Sequence, residues 1–135
     1  MTDTRELSKK NEYYLPKETL LTAKHYTMQY KLWQKELREI ENTQRAISYD
    51  GVKVQTNGCG DPVFLATAKA EELRGKVQKV ESTIHLVADD IYFYLLMGVA
   101  YGWSFQQLKA KGMPLEKNAY YIRRRRYYWE ISKKI

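Results

Sequence analysis

Residues 63–87, VFLATAKAEELRGKVQKVESTIHLV, place apolar or small side chains at alternating steps of three and four residues. These positions are Val63, Ala66, Ala70, Leu73, Val77, Val80, Ile84 and Val87. The spacing keeps them on one face of an α-helix, and an average step of about 3.5 residues is the coiled-coil period. The stretch therefore predicts a long helix that buries one face.

The same spacing occurs upstream, between residues 23 and 47, with a single polar interruption. Its members are Ala23, Tyr26, Tyr30, Trp33, Leu37, Ile40, Gln44 and Ile47. Pro16 fits the first turn of this helix, and Asp61 followed by Pro62 fits the start of the second. Two helices of similar length joined by a short linker pack antiparallel. We therefore predict an antiparallel helical hairpin over residues 16–89, preceded by an N-terminal arm at 1–15.

The linker, residues 48–61, reads SYDGVKVQTNGCGD. Asp50-Gly51 and Asn57-Gly58 are turn signals, and two valines alternate with polar residues between them. This pattern predicts an ordered loop or a short β-hairpin. Cys59 is the sole cysteine, which excludes an intrachain disulfide and fits a reducing compartment.

The pattern changes after residue 90. Residues 91–102, IYFYLLMGVAYG, form an apolar segment. Ser104 then fits the N-cap of a short polar helix that Gly112 ends, and Pro114 lies near the start of a last helix. Three helices with a glycine in the second turn are typical of a helix-turn-helix. The predicted fold is therefore all-α, with the hairpin followed by a three-helix DNA-binding unit at residues 90–135.

The charge distribution supports a polyanion partner. Residues 1–108 carry 14 basic and 14 acidic side chains, whereas residues 109–135 carry nine basic and two acidic ones. The whole net charge of +7 therefore lies in the last fifth of the chain. A neutral body with a basic C-terminal segment is the electrostatic pattern of a nucleic-acid binder.

The last helix is predicted to use one face for packing and another for DNA. Its apolar stripe, expected to pack on the other helices of the unit, consists of Leu115, Ala119, Ile122 and Trp129. With a recognition helix at about 114–128, the predicted contacts to duplex DNA are Lys117, Asn118, Tyr121, Arg123, Arg124 and Arg125. Asn can bind adenine and Arg can bind guanine, while Lys, Arg and Tyr also bind phosphates. Consecutive arginines point about 100° apart, so two or three of the four are expected to touch DNA.

No enzyme activity, metal site or cofactor is predicted. His25 and His85 lie on different helices, and Cys59 has no second cysteine at zinc-binding spacing. Asp89 and Asp90 fit a helix boundary. The first residues lack the apolar core of a secretory signal, and the apolar run 91–97 is too short to cross a bilayer. We expect a cytoplasmic protein without a membrane partner.

Three stretches resemble small phage regulators of the RinA/ArpU type. They are the loop NGCGDP (57–62), the helix ATAKAEELRGKVQKVESTI (66–84) and the C-terminal segment YLLMGVAYGWSFQQLKAKGMPLEKNAYYIRRRRYYWEISKKI (94–135). The last resembles a unit similar to region 4 of bacterial sigma factors. The resemblance covers residues 16–135 and implies an activator of late phage genes. At residues 113–114 the chain has Met-Pro where that pattern has a more polar helix cap.

The leading function is thus a DNA-binding regulator of phage or prophage genes, with host RNA polymerase as a candidate partner. The hairpin could hold a homodimer or close on itself within one chain. A second interpretation is a small phage interaction protein, such as a nuclease inhibitor or a packaging adaptor, whose basic helix binds an acidic protein surface. A third is non-specific binding of RNA or single strands through Tyr and Arg, which a helical location disfavours.

Overall fold

The structure, a computed structural model, describes residues 10–49 and 62–135, with side chains described for 10–43 and 64–135. The described residues are helical, without a strand among them. The helices are α1 (Lys17–Met28), α2 (Tyr30–Tyr49), α3 (Pro62–Ala88), α4 (Tyr92–Ala100), α5 (Phe105–Ala110) and α6 (Lys117–Ser132), with a 3₁₀ turn at Asp89–Ile91 between α3 and α4. Residues 1–9 of the predicted arm and 50–61 of the predicted loop, including Cys59 and Asp61, lie outside the described residues.

The two repeated stripes form the core between α2 and α3, with Ala23 added from α1. Their buried members are Ala23, Tyr30, Trp33, Leu37, Ala70, Leu73, Val77, Val80, Ile84 and Val87. The prediction that these stripes are buried is confirmed at these positions. The Tyr30 hydroxyl donates to the Glu81 carboxylate at 2.7 Å. Further along, Arg74 lies 3.5 Å from Glu41. From Tyr30 to Glu41 the residue number rises along α2, while the number of the contacted residue falls from Glu81 to Arg74 along α3. The two helices therefore run antiparallel.

The single helix predicted for residues 16–47 is interrupted between α1 and α2. The interruption is the turn at Gln29, whose N–H donates to the Tyr26 carbonyl at 3.2 Å, a tighter step than the α-helical one. The Thr27 hydroxyl donates to the Ala23 carbonyl at 2.9 Å, one turn back along α1. The same kind of bond occurs at Thr43 and Thr83 inside uninterrupted helices, so it does not by itself account for the turn. The spacing of apolar residues carries no trace of this bend.

The C-terminal helices begin and end close to the positions that local sequence predicts, with one exception. Ser104 forms a capping box with Gln107, and Gly112 ends the segment after α5 at φ +99°, where a side chain would be strained. The prediction that Pro114 starts the last helix is wrong, because α6 begins at Lys117 with Glu116 in an extended conformation as its N-cap. Residues 111–116 therefore form a longer turn than expected.

A single core joins the N-terminal and C-terminal parts of the described chain. α6 packs against both α1 and α3, and α4 also contacts both. The largest buried side chains come from every one of these elements, among them Thr27, Leu73, Leu95 and Tyr127. The helix that carries the arginines is therefore enclosed on one side by the body of the protein.

One helical stretch, Phe64–Ala100, is long and apolar enough to cross a membrane by length and composition alone. It contains the turn at Asp89–Ile91, and 50% of its most apolar window is buried inside the protein. A core helix passes the same test, so the stretch is weak evidence for a membrane span.

Candidate nucleic-acid interface

The inner face of α6 is formed by tyrosines. Its buried residues are Tyr120, Arg124, Tyr127, Tyr128 and Ile131. The predicted packing stripe is therefore wrong at its centre, because the side chain of Ile122 is 56% exposed. Leu115, Ala119 and Trp129 are only partly buried. The contacts of α6 with α1 and α3 decide which face turns inward.

Two of these tyrosines use their hydroxyl groups differently. The Tyr127 hydroxyl lies 2.8 Å from the Thr27 hydroxyl of α1 and forms a buried hydrogen bond with it. The Tyr120 hydroxyl is buried against Gly98 of α4 and has no hydrogen-bond partner among the described residues. Burial raises the pKa of both phenols well above the usual range, because the charged form would lose its hydration. The ring of Tyr120 also contacts Phe105, with centroids 5.9 Å apart, and so holds α6 to α5.

Arg123 is held by the boundary between α3 and α4. Its guanidinium donates to the Asp90 carboxylate at 2.8 Å and to the Val87 carbonyl at 3.3 Å. The hydrogen bond and the positive charge of Arg123 lower the pKa of Asp90. The predicted DNA contact at Arg123 thus competes with an intramolecular ion pair that fixes α6 to the end of α3.

Arg124 lies inside the protein, with only 9% of its surface exposed. Its guanidinium carbon lies 4.6 Å from the centre of the Tyr121 ring, a cation–π contact. Its Nε has no hydrogen-bond partner among the described residues. A side chain this buried cannot reach a base edge, so we remove Arg124 from the predicted base contacts. Its contact with Tyr121 instead positions that ring at the edge of the accessible face.

The remaining predicted contact residues gather on the outward face of α6. Lys117 and Asn118 are exposed in its first turn, and Tyr121 and Arg125 are half-exposed one and two turns later. Positions three or four residues apart lie side by side on a helix, so this set forms one continuous surface. Ile122, which is also exposed, lies beside Asn118 and Arg125 at one edge of this surface. We call Lys117, Asn118, Tyr121, Ile122 and Arg125 the outward face.

The start of α6 suits an anion. Its N-cap residue, Glu116, makes no side-chain capping bond, so its exposed carboxylate is free to turn away from the helix end, and the first turn itself holds no acidic residue. The first backbone N–H groups of a helix lack helical partners and bind phosphate oxygens well. Lys109, Lys111 and Lys117 are exposed around the turn that leads into α6, and none of them forms an ion pair with another described residue. The combination is chemically suited to the phosphate backbone.

The sequence contained a signal for the true inner face of α6. Tyr120, Tyr127 and Ile131 follow the steps of seven and four that the hairpin stripes also contain, with Arg124 between the first two. Treating tyrosine as a core residue would have identified this stripe. The same step would have placed Ile122 outside, because it lies on the opposite side of the helix.

The described residues contain no group of three or more His, Cys, Asp or Glu side chains that could hold a metal ion. His85 contacts Asp89 at 2.6 Å and stacks on Tyr92, with ring centroids 4.1 Å apart. His85 lies in the last turn of α3, Asp89 in the 3₁₀ turn and Tyr92 at the start of α4, so these contacts join the two helices across the bend. Comparisons with protein-family models, with curated proteins and with solved structures found no match for this chain.

Proposed function

We propose that this chain is a DNA-binding transcriptional regulator of phage or prophage genes that inserts the first turns of α6 into the major groove. The observation that carries the proposal is the outward face. It presents Lys117, Asn118, Tyr121 and Arg125 together on a helix whose other side is buried. In helix-turn-helix proteins the first residues of the recognition helix meet base edges.

Three further features support the proposal. The net charge of +7 lies in the last 27 residues. The exposed lysines around the start of α6, Lys109, Lys111 and Lys117, suit phosphates on either side of a groove. The resemblance of residues 16–135 to RinA/ArpU-type regulators suggests late phage genes as the target and host RNA polymerase as a partner.

The test is selection of duplex fragments from random genomic DNA, followed by measurement of affinity against salt. We expect one enriched motif. With Arg123 paired to Asp90 and Arg124 buried, three to five phosphate contacts are expected, which gives a slope of log affinity against log salt of about −3 to −5.

A matched pair of variants makes the test specific to this region. Replacing Lys109, Lys111 and Lys117 with alanine removes three exposed charges beside α6. Replacing Lys31, Lys35 and Arg38 removes three exposed charges from α2. The first variant should make the slope shallower by about 2 to 3, while the second should leave it nearly unchanged. Equal effects would show only non-specific attraction between a cation and DNA.

One observation favours the competing function, a protein-interaction module. Ile122, 56% exposed on the outward face, is an apolar side chain of the kind that anchors protein interfaces. If no motif is enriched and duplex binding vanishes at moderate salt, the basic helix instead faces an acidic protein surface. Capture of partners with wild type and with Ile122→Asp would then identify the contact.

A further inference from the structure

Two side chains of the outward face bear on which bases it can distinguish. Asn118 is exposed in the first turn of α6, and Ile122 is exposed one turn later on the same side. Their backbone positions are about 6 Å apart along the helix axis, which corresponds to about two base-pair steps. Both occupy the N-terminal part of the helix, where base contacts occur in helix-turn-helix proteins.

The chemistry of the two side chains converges on A·T pairs. An Asn carboxamide can accept from the N6 amino group of adenine and donate to its N7, and no other base offers that pattern in the major groove. An aliphatic side chain such as Ile can pack on the C5-methyl group of thymine. An exposed Ile among polar neighbours is unfavourable in water, and that apolar surface would be covered in such a contact.

The arginines favour the same conclusion. Arginine is the commonest reader of guanine, and two of the four consecutive arginines are unavailable for it. Arg123 is bonded to Asp90, and Arg124 is buried on Tyr121. The first two turns of the outward face therefore present Asn118 and Ile122, and its first arginine is Arg125, at the far end.

We propose that Asn118 and Ile122 make α6 a reader of A·T pairs in the major groove. Asn118 pairs with one adenine, and Ile122 packs on the methyl group of a thymine within about two base pairs of it. Lys117 and Arg125 lie on either side along the helix and contact the backbone. This inference rests on the proposed DNA-binding function.

The experiment uses the full chain and the duplex recovered by selection, with single-atom changes in the DNA. Uracil in place of each thymine removes one methyl group, and 7-deaza-adenine in place of each adenine removes the N7 acceptor. At one thymine, uracil should weaken wild-type binding about fourfold, the value of one buried methyl group. At one adenine within about two base pairs, 7-deaza-adenine should weaken binding roughly tenfold.

Variants assign each effect to its side chain. Ile122→Ala should lose the response to uracil, and Asn118→Ala should lose the response to 7-deaza-adenine. Leu86→Ala is the matched control for Ile122, because Leu86 is an exposed aliphatic residue, 55% accessible, on α3. It should respond to both analogues as wild type does. Both target residues are exposed, so their variants should fold, which circular dichroism checks.

The outcomes separate this inference from the proposed function. If a motif is bound but no thymine or adenine position responds, or if the variants respond as wild type does, α6 does not read A·T pairs and the regulator function stands. If selection recovers no motif, both proposals are overturned. A response to uracil that persists in Ile122→Ala overturns the assignment of Ile122 alone.

Discussion

The buried surface between α2 and α3 and the buried face of α6 are built from different side chains. The α2–α3 seam is mainly aliphatic and small, with hydrogen-bonded tyrosine and charged residues at its edge, such as Tyr30 with Glu81. The inner face of α6 consists of three tyrosines, an arginine and one isoleucine. The helices that pack against a helix, more than its own hydropathy, therefore decide which of its faces is buried.

The same difference divides the arginine run. Because α6 packs against α1 and α3, successive residues point to different surroundings. Arg123 meets Asp90, Arg124 turns inward, and Arg125 lies on the accessible side. Consecutive arginines that are identical in sequence therefore have different roles. Arg123 forms an ion pair, Arg124 positions the Tyr121 ring, and Arg125 is a candidate ligand contact.

The largest expected effect is unfolding at alkaline pH, caused by ionisation of the buried tyrosines of α6. Burial raises the pKa of Tyr128 to about 12 and raises those of Tyr120 and Tyr127 further, whereas unfolded tyrosines ionise near 10. A pKa raised by folding means that stability is complete below pH 10 and is lost as the pH rises toward 12. We expect tyrosine ionisation, followed by ultraviolet absorbance, and loss of helix, followed by circular dichroism, to coincide in one steep step. Ionisation that precedes unfolding would contradict the burial of these phenols.

The next effect compares the two sides of α6 directly. Tyr120→Ala should lower the free energy of unfolding by roughly 3 to 5 kcal/mol, because it leaves a cavity between α4, α5 and α6. Ile122→Ala, two positions away and 56% exposed, should change it by less than about 0.5 kcal/mol. Urea unfolding measures both. Similar losses would mean that the two faces are assigned the wrong way round.

A finer comparison uses one substitution at two buried tyrosines. Tyr127→Phe should destabilise by about 1 kcal/mol, because the buried hydrogen bond between its hydroxyl and that of Thr27 is lost. Tyr120→Phe should be neutral or stabilising, because its buried hydroxyl has no hydrogen-bond partner among the described residues. Thermal and urea unfolding of both variants decide the signs.

Substitution of Gly98 tests whether the Tyr120 hydroxyl is packed against α4. A Cβ at Gly98 would overlap the Tyr120 hydroxyl, so Gly98→Ala should cost about 1 to 3 kcal/mol. Combining it with Tyr120→Phe should recover part of that loss, since the overlapping atom is gone. Strict additivity in this cycle would show that Gly98 and Tyr120 are not in contact.

The smallest expected effect on stability comes from the ion pair between Arg123 and Asp90. Arg123→Ala and Asp90→Asn should each cost about 0.5 kcal/mol at neutral pH, because the pair is partly exposed and screened. The pKa of Asp90 is lowered by folding, so the contribution is present above its usual value of 3.8 and is lost as the pH falls through the folded value. Arg126→Ala is the control and should show no such dependence in acid.

Much of the fold could be predicted from local sequence. Alternation of three- and four-residue steps identified the long helices, and Ser104 and Gly112 were assigned their roles because caps and stops depend on neighbouring residues. The interruption at Gln29 was not predicted, because the apolar spacing continues through it from Tyr26 to Tyr30. For the candidate site, the helix and its accessible residues Lys117, Asn118, Tyr121 and Arg125 were predicted. The ion pair of Arg123 and the burial of Arg124 were not.

Residue spacing, local capping and composition are enough to predict an all-α chain, the faces of its two long helices and the concentration of positive charge at its C-terminal end. None of these properties depends on contacts between distant parts of the chain. The buried side of α6, in contrast, follows from its packing against α1 and α3, which are distant in sequence, because the surface of this helix is mixed in character. That packing buried Arg124, paired Arg123 with Asp90 and left Ile122 exposed beside Asn118.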